Sequence, residues 1–411
     1  MIDGPILENE AAWKRRFRLP PYGIQFASGK PDHVLVSSNE SGMFELYAYD
    51  ISSKKMRQAT KRSSGTVYGT ISPDGNHIYY VDDKEGNETG HVVRVPFDRN
   101  SPPLDMTPTL PEYTLVEPYV DGTSSHLGLT VPGPEGFDSY TLKISGEVVG
   151  EPRLIRRMKK TSSGPLYSQD GTICVVWSAD RFGGLDFTTI AFQTETGKQL
   201  GELADESSRV EPVSFSPIAG DQRVLATSNV SGMMRPLIWD PVNGSRTDLD
   251  LPGVEGEVAG MGWSPDAKDV LLNQTYKATT NLWTYNLETR KTTRVPHAEG
   301  SISAAQFQTS NVILFAWQDS VHPTQLMSVD LRGRSTRILL APKNVPSSRP
   351  WRSVSFKSSD DQVIQAWLAT PEGPGRFQRS LTRMAVRPGP SSTHSILEVR
   401  SGWIMDSHSY P

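Results

Sequence analysis

Residues 70–98 read TISPDGNHIYYVDDKEGNETGHVVRVPFD, and residues 261–295 read MGWSPDAKDVLLNQTYKATTNLWTYNLETRKTTRV. Laid one on the other, they share an order: a short strand, a Ser-Pro-Asp turn, an apolar strand, a polar turn, a second strand and a turn-rich end. Pro73 and Pro265 preset the first central φ of the turn, and Asp74 and Asp266 bond back to the backbone. The runs HIYYV and DVLLNQ are rich in β-branched and aromatic residues and about one strand long. The order recurs in LYSQDGTICVVWSADRFGGLDFTTIAFQTETGKQL from Leu166 and in VSFSPIAGDQRVLATSNVSGMMRPLIWDPVNGSRTDL from Val213.

Counting outward gives about seven units, near 22–62, 66–107, 111–156, 160–203, 209–250, 256–296 and 299–342. A period of about 40–45 residues with four strands per unit is the signature of propeller blades. The third unit keeps its strands but not the Ser-Pro-Asp-Gly turn, and the last matches in strand order only; six or eight blades stay open. The expected fold class is all-β, a seven-bladed β-propeller with a short N-terminal helix and the start of a further domain. The helix is expected within residues 1–21, where ILENEAAWKRRFRLPP runs from acidic to basic and ends at Pro20-Pro21. Its Arg15, Arg16 and Arg18 are too few for a nucleic-acid patch and read as a solvated face.

The totals agree with a repeat-built chain. Of 411 residues, 36% are apolar, with Gly 34 and Pro 31. That composition suits many turns and narrow buried stripes. Lys and Arg number 42 against 46 Asp and Glu, so no basic field exists for nucleic acid or anionic membrane. No apolar run approaches a membrane span, and the N-terminus has no secretory h-region. The expectation is a soluble, cytoplasmic protein. The N-x-[ST] sequons at Asn39, Asn87, Asn229, Asn243 and Asn273 then read as turn residues.

The chemistry-bearing residues are sparse. Cys174 lies in the apolar run TICVVW and reads as a core residue. The histidines at 33, 77, 91, 126, 297, 322, 394 and 408 are scattered and read as turn or surface residues. Asp82-Asp83 and Asp360-Asp361 read as solvated turn carboxylates. In FELYAYDIS and LWTYNLE, alternation places Leu46, Tyr47-Tyr49 and Trp283-Tyr285 alternately between blades and toward solvent. No G-x-S-x-G, H-E-x-x-H or C-x-x-C is present, and no phosphate loop. No catalytic, cofactor-binding or metal-binding residue is assigned, and no cofactor is expected.

The texts ISPDGNHIYYVDD, SNVSGMMRPLIWDPVNG and GWSPDAKDVLL…NLWTYNLET resemble the N-terminal propeller of the prolyl oligopeptidase family, serine peptidases that include acylaminoacyl and dipeptidyl peptidases. The following VSFKSSDDQVIQAWLATPEGPG, from Val354, is similar to the first strands of that family's α/β-hydrolase domain, with Asp361 where Gly is usual. The resemblance covers residues from about 20 to 375. It divides the chain into an N-terminal extension (1–21), a propeller (22–345), the first hydrolase strands (346–376) and an unpatterned tail (377–411). In the family, the propeller caps the active-site cavity and restricts it to short peptides. The family's oxyanion motif and Ser-Asp-His triad lie further on, and this chain has none of them.

The tail suggests why. Shifting the reading frame turns Met384-Ala385 into Gly, Trp403-Ile404 into Asp and Met405-Asp406 into Gly, whatever the synonymous codons. TRMAVRP then reads as T-H-G-G-P-T, the family's oxyanion motif, and GWIMDSHS as L-D-H-G-F-S. The tail from about Phe377 is therefore expected to be an out-of-frame reading of a hydrolase domain. The expected function is the propeller portion of a serine hydrolase acting on short peptides or related amides and esters, inactive as written. The alternatives are a stand-alone propeller scaffold with a protein partner, or an active full-length hydrolase whose C-terminal sequence is mis-read.

Overall fold

A computed structural model describes residues 16, 19–114 and 117–370. Within them the chain forms seven antiparallel sheets in strict sequence order, followed by one hairpin. Blade 1 holds β1 (Gly23–Phe26), β2 (His33–Ser38), β3 (Glu45–Asp50) and β4 (Lys55–Gln58); blade 2 holds β5 (Thr70–Ile71), β6 (His77–Asp83), β7 (Gly90–Pro96) and β8 (Leu104–Asp105). Blade 3 has β9 (Tyr119–Val120), β10 (His126–Gly133), β11 (Gly136–Ser145), β12 (Val148–Val149) and β13 (Arg153–Met158). Blade 4 comprises β14 (Ser162–Tyr167), β15 (Ile173–Ser178), β16 (Thr188–Gln193) and β17 (Gln199–Leu203); blade 5, β18 (Val210–Phe215), β19 (Val224–Ser228), β20 (Arg235–Trp239) and β21 (Arg246–Asp248). Blade 6 comprises β22 (Glu257–Trp263), β23 (Asp269–Tyr276), β24 (Thr279–Asn286) and β25 (Thr292–Arg294); blade 7, β26 (Ser301–Thr309), β27 (Val312–Gln318), β28 (Gln325–Asp330) and β29 (Ser335–Leu340). The hairpin is β30 (Arg352–Lys357) and β31 (Val363–Leu368). In blade 3, β12 and β13 share the outer position, both pairing with β11.

The first strand of each blade is innermost, and first strands of successive blades approach one another, β26 of blade 7 reaching β1 of blade 1. Seven separate apolar clusters hold the ring, one at each junction between blades. The seventh joins Tyr22, Val34, Val36, Tyr47 and Tyr49 to Leu326 and so closes it. Across this seam Tyr49 Oη donates to Leu339 O at 2.8 Å and Gln306 Nε2 to Ala27 O at 3.1 Å, while Gln308 reaches Asp32. Among the described residues no strand is exchanged across the closure; packing and these hydrogen bonds join the two blades.

The recurring turn has one geometry. Ser72, Ser168 and Ser264 each donate to an Asp carboxylate two residues on, at 2.5, 2.8 and 2.7 Å. Each Ser oxygen also accepts the backbone N–H five residues on, at 2.9, 3.0 and 2.9 Å. Blade 3, without the motif, rebuilds the turn from one residue. Asp121 stands at the Ser position and accepts from Ser125 N, His126 N and the hydroxyls of Thr123 and Ser125 at 2.6–2.9 Å.

Several expectations change. Tyr47 and Tyr49 do not face solvent; they pack on blade 7 while Leu46 and Ala48 pack on blade 2, because a middle strand is covered on both faces. His33 is not a surface residue: it is buried, its Nδ1 lies 2.7 Å from Gly75 O, and its ring stacks on Phe97 at 4.0 Å. Asp83 is not solvated, since its carboxylate lies 2.7 Å from the Arg62 guanidinium. Asn273 lies inside β23 and not in a turn. Apart from Arg16, whose backbone is helical, no helix appears among the described residues; the expected N-terminal helix lies almost wholly outside them. Arg16 donates to the Ser320 and Val321 carbonyls at 3.0 and 2.8 Å, so it ties to blade 7 instead of pointing into solvent. The tail 377–411, with His394 and His408, also lies outside the described residues.

Candidate functional site

Antiparallel order sorts the loops onto two faces. The recurring Ser-Pro-Asp turns lie on one. The starts of the inner strands lie on the other, with the turns between second and third strands. Arg209 N, just ahead of β18, donates to Asn229 Oδ1 beyond β19 at 2.8 Å, which ties these features together. The hairpin leaves from this face too: Trp351 N donates to Ser320 Oγ at 3.0 Å, in the turn after β27.

At this end, the inner strands carry a chain of hydrogen bonds. Gln25 Nε2 donates to Thr70 Oγ1 at 3.2 Å, and Ile71 N returns to Gln25 Oε1 at 2.9 Å. Thr70 Oγ1 lies 3.5 Å from Glu117 Oε1, Tyr119 Oη donates to Glu117 Oε2 at 3.1 Å, and Ser163 Oγ lies 3.5 Å from Tyr119 Oη. Blades 1 to 4 are thus linked around the central passage. Burial pushes the Tyr119 phenol far above its ordinary range, and the Glu117 carboxylate adds to it, so Tyr119 acts as a neutral donor. Its ring packs edge-on to Trp177 at 5.7 Å.

Blade 5 continues the belt with a buried ion pair. Arg209 and Glu211 are 3% and 8% exposed, and their bidentate contacts are 2.5 and 2.6 Å. The guanidinium also lies over the Phe187 ring at 5.2 Å. Such a pair is rigid, and removing one partner strands a buried charge at a cost of about 3–5 kcal/mol. Blades 6 and 7 offer small residues instead, Ala259, Gly260, Gly262 and Ala304, with Glu257 exposed at the start of β22.

No nucleophile–base pair enters this belt. Cys174 is fully buried between blades 3 and 4, and burial pushes its thiol up to about 12, so it stays an inert core residue. No cluster of His, Cys, Asp or Glu among the described residues is arranged to hold a metal ion. No helix among the described residues is long and apolar enough to cross a membrane.

The belt residues are not legible one by one from sequence, because none sits in a motif. The signal is their spacing: Gln25 and Thr70 are 45 apart, Thr70 and Glu117 47, Tyr119 and Ser163 44. These intervals are one blade each, so the partners hold equivalent positions in successive repeats.

No protein-family model matches the sequence, and no curated protein sequence matches it. Solved structures do match. A prolyl endopeptidase studied for inter-domain dynamics in catalysis and specificity superposes with TM-score 0.65 at 12% identity, over 87% of this chain and 55% of that one. Prolyl oligopeptidase B from Galerina marginata gives 0.66 at 12%, over 88% and 57%. A puromycin-hydrolysing peptidase from Mycobacterium tuberculosis gives 0.64 at 11%, over 87% and 61%. The chain spans a little over half the length of these proteins. Its fold is that of the propeller portion of prolyl oligopeptidases, a ring of seven blades.

Proposed function

We propose that this chain is the propeller portion of a prolyl oligopeptidase-like serine hydrolase, acting as the cap that admits short peptides or related amides and esters to an α/β-hydrolase domain. The observation that carries the reading is the hairpin β30–β31. It follows the ring directly, resembles the family's first hydrolase strands in sequence, and leaves from the face that bears the hydrogen-bonded starts of the inner strands. Asp361 supports it further. It replaces the usual Gly and keeps a positive φ of 62°, which Asp tolerates better than most residues. In this reading the residues 346–376 open the hydrolase domain, and the tail is that domain read out of frame.

No Ser-Asp-His triad is assembled among the described residues and the sequence carries no G-x-S-x-G elbow, so in this reading the given polypeptide is expected to be inactive alone. Purified protein is expected to show no turnover of aminoacyl or acyl-aminoacyl chromogenic substrates and no labelling by a serine-reactive phosphonate. Turnover that persists unchanged in the phosphonate would sink the family reading. The coding DNA across codons 370–411 and beyond tests the frame: a stop soon after the shift, or no downstream G-x-S-x-G, overturns that part alone.

A second reading, a propeller that serves as a scaffold for a protein partner, draws on the apolar rim of the same face. Met43, Val67, Tyr68, Leu185, Val230 and Met233 are all at least 42% exposed there. It predicts a specific partner that binds through this rim and is lost on Tyr68→Glu.

A further inference from the structure

His297 lies in the connector between blades 6 and 7, which runs from the end of β25 to the start of β26. Beyond the β24–β25 pairing, Val295 N still donates to Leu282 O at 2.9 Å. The N–H of Leu282 donates to a side chain, His297 Nε2, at 3.1 Å. The other ring nitrogen, Nδ1, lies 2.8 Å from Ala298 O. A carbonyl only accepts, so Nδ1 carries the proton. A backbone N–H only donates, so Nε2 presents its lone pair. The two contacts together fix one neutral tautomer. The ring also lies tilted against Phe315 of β27, 6.0 Å away, and Ala298 O accepts from Trp317 Nε1 at 3.1 Å. The imidazole thus ties the connector to β24, and the next residue ties it to β27. Leu282 itself is fully buried in the apolar cluster between blades 6 and 7.

We propose that His297 is a pH-sensitive latch: its neutral ring holds the connector between blades 6 and 7 in place, and protonation releases it. A proton on Nε2 occupies the lone pair that accepts from Leu282 N. Two donors then face each other, and the bond is lost. Among the described residues, β24 turns a backbone N–H toward the ring and β27 turns the Phe315 ring. Arg294, at the end of β25, is the charged group that acts on it. Burial holds the imidazole below its ordinary range, the Ala298 carbonyl opposes this, and the Arg294 charge adds to burial. Because the folded value is depressed below that of the open connector, near 6.5, the latch is at full strength above that pH and weakens as pH falls below it. The connector delivers the chain to β26 on the face that bears the starts of the inner strands. Release therefore loosens that face between blades 6 and 7.

The test is hydrogen–deuterium exchange of the full chain, read by mass spectrometry between about pH 5 and 8 and corrected for the intrinsic pH dependence of exchange. Peptides covering 279–300 are expected to exchange at a constant corrected rate above about pH 7. Below about pH 6.5 they are expected to exchange faster, by up to roughly tenfold per pH unit. Blade 5 (209–250) has no histidine, so it serves as the internal control and is expected to stay flat. His297→Gln keeps a polar side chain that does not titrate, and its exchange in 279–300 is expected not to depend on pH. His297→Phe keeps a ring against Phe315 but removes the acceptor. It is expected to exchange faster than the wild type at the alkaline end, again without pH dependence. Wild-type rates in 279–300 that stay flat down to about pH 5, that rise only in step with blade 5, or that rise equally in His297→Gln would overturn the proposal.

Discussion

At the scale of residues, the recurring turns show how one local device is rebuilt from different side chains. The Ser-x-Asp pair satisfies two backbone donors and orients the chain for the next strand. Asp121 does the same with one carboxylate, fully buried and holding five hydrogen bonds, the fifth with His126 Nδ1 at 3.3 Å. The fourth turn position carries a positive φ in all four blades, as Gly75 (71°), Ser124 (57°), Gly171 (70°) and Ala267 (54°). Gly171 is fixed by space as well as by φ, since a Cβ there would lie 2.5 Å from Asp121 Oδ2 and 2.6 Å from His126 Nδ1.

The turn carboxylates also make stability depend on pH. Asp266 sits below the ordinary carboxylate range, chiefly through the hydrogen bond from Ser264. In Asp74 and Asp170, burial pushes upward, but the bonds from Ser and from the following residues outweigh it. A carboxyl with a depressed folded pKa stabilises the fold above its unfolded pKa, near 3.9, and the effect is lost as pH falls through the folded value. Urea unfolding is expected to give constant stability above about pH 5 and a fall below about pH 4. In Asp266→Asn the acid fall is expected to be shallower. An identical pH profile for the variant would refute this assignment.

At the scale of elements, a middle strand in this ring is buried on both faces, whereas in the hairpin β30 is mostly exposed and β31 is mostly half-buried. Val363 is 71% exposed, Trp351 45% and Phe356 37%; Ala366, at 5%, is its one buried residue. Beyond β30 and β31 the hairpin has no further paired strand among the described residues. Two strands with open edges and apolar side chains invite association with other chains. Deleting residues 346–411 is therefore expected to raise solubility and leave the ring's melting temperature unchanged. A lower melting temperature or more aggregation, followed by light scattering during heating, would show instead that the segment packs as part of the ring.

At the scale of the whole molecule, the seam between blades 7 and 1 is where closure depends on contacts between the two ends of the sequence. Leu326 is fully buried there, against tyrosines and valines of blade 1. Leu326→Ala is expected to cost about 3 kcal/mol, from lost burial and the cavity left behind. Denaturant unfolding measures this directly, and a loss under about 1 kcal/mol would mean that the seam relaxes to fill the space.

The chain's local chemistry announced the blade. Turn residues, β-branched runs and a period of about 40–45 residues suffice to define a repeating four-stranded sheet, because each piece acts within a few residues of itself. The third blade was hard to read for the same reason, since its turn replaces the motif with Asp121. Tertiary structure alone decided which face of each strand meets which neighbour, and so turned an expected solvent face at Tyr47 and Tyr49 into the closing seam. It also decided the chain of hydrogen bonds at the starts of the inner strands. That chain and the seam join residues one blade or the whole ring apart, and no local pattern encodes a distance that exists only once the seven sheets have closed.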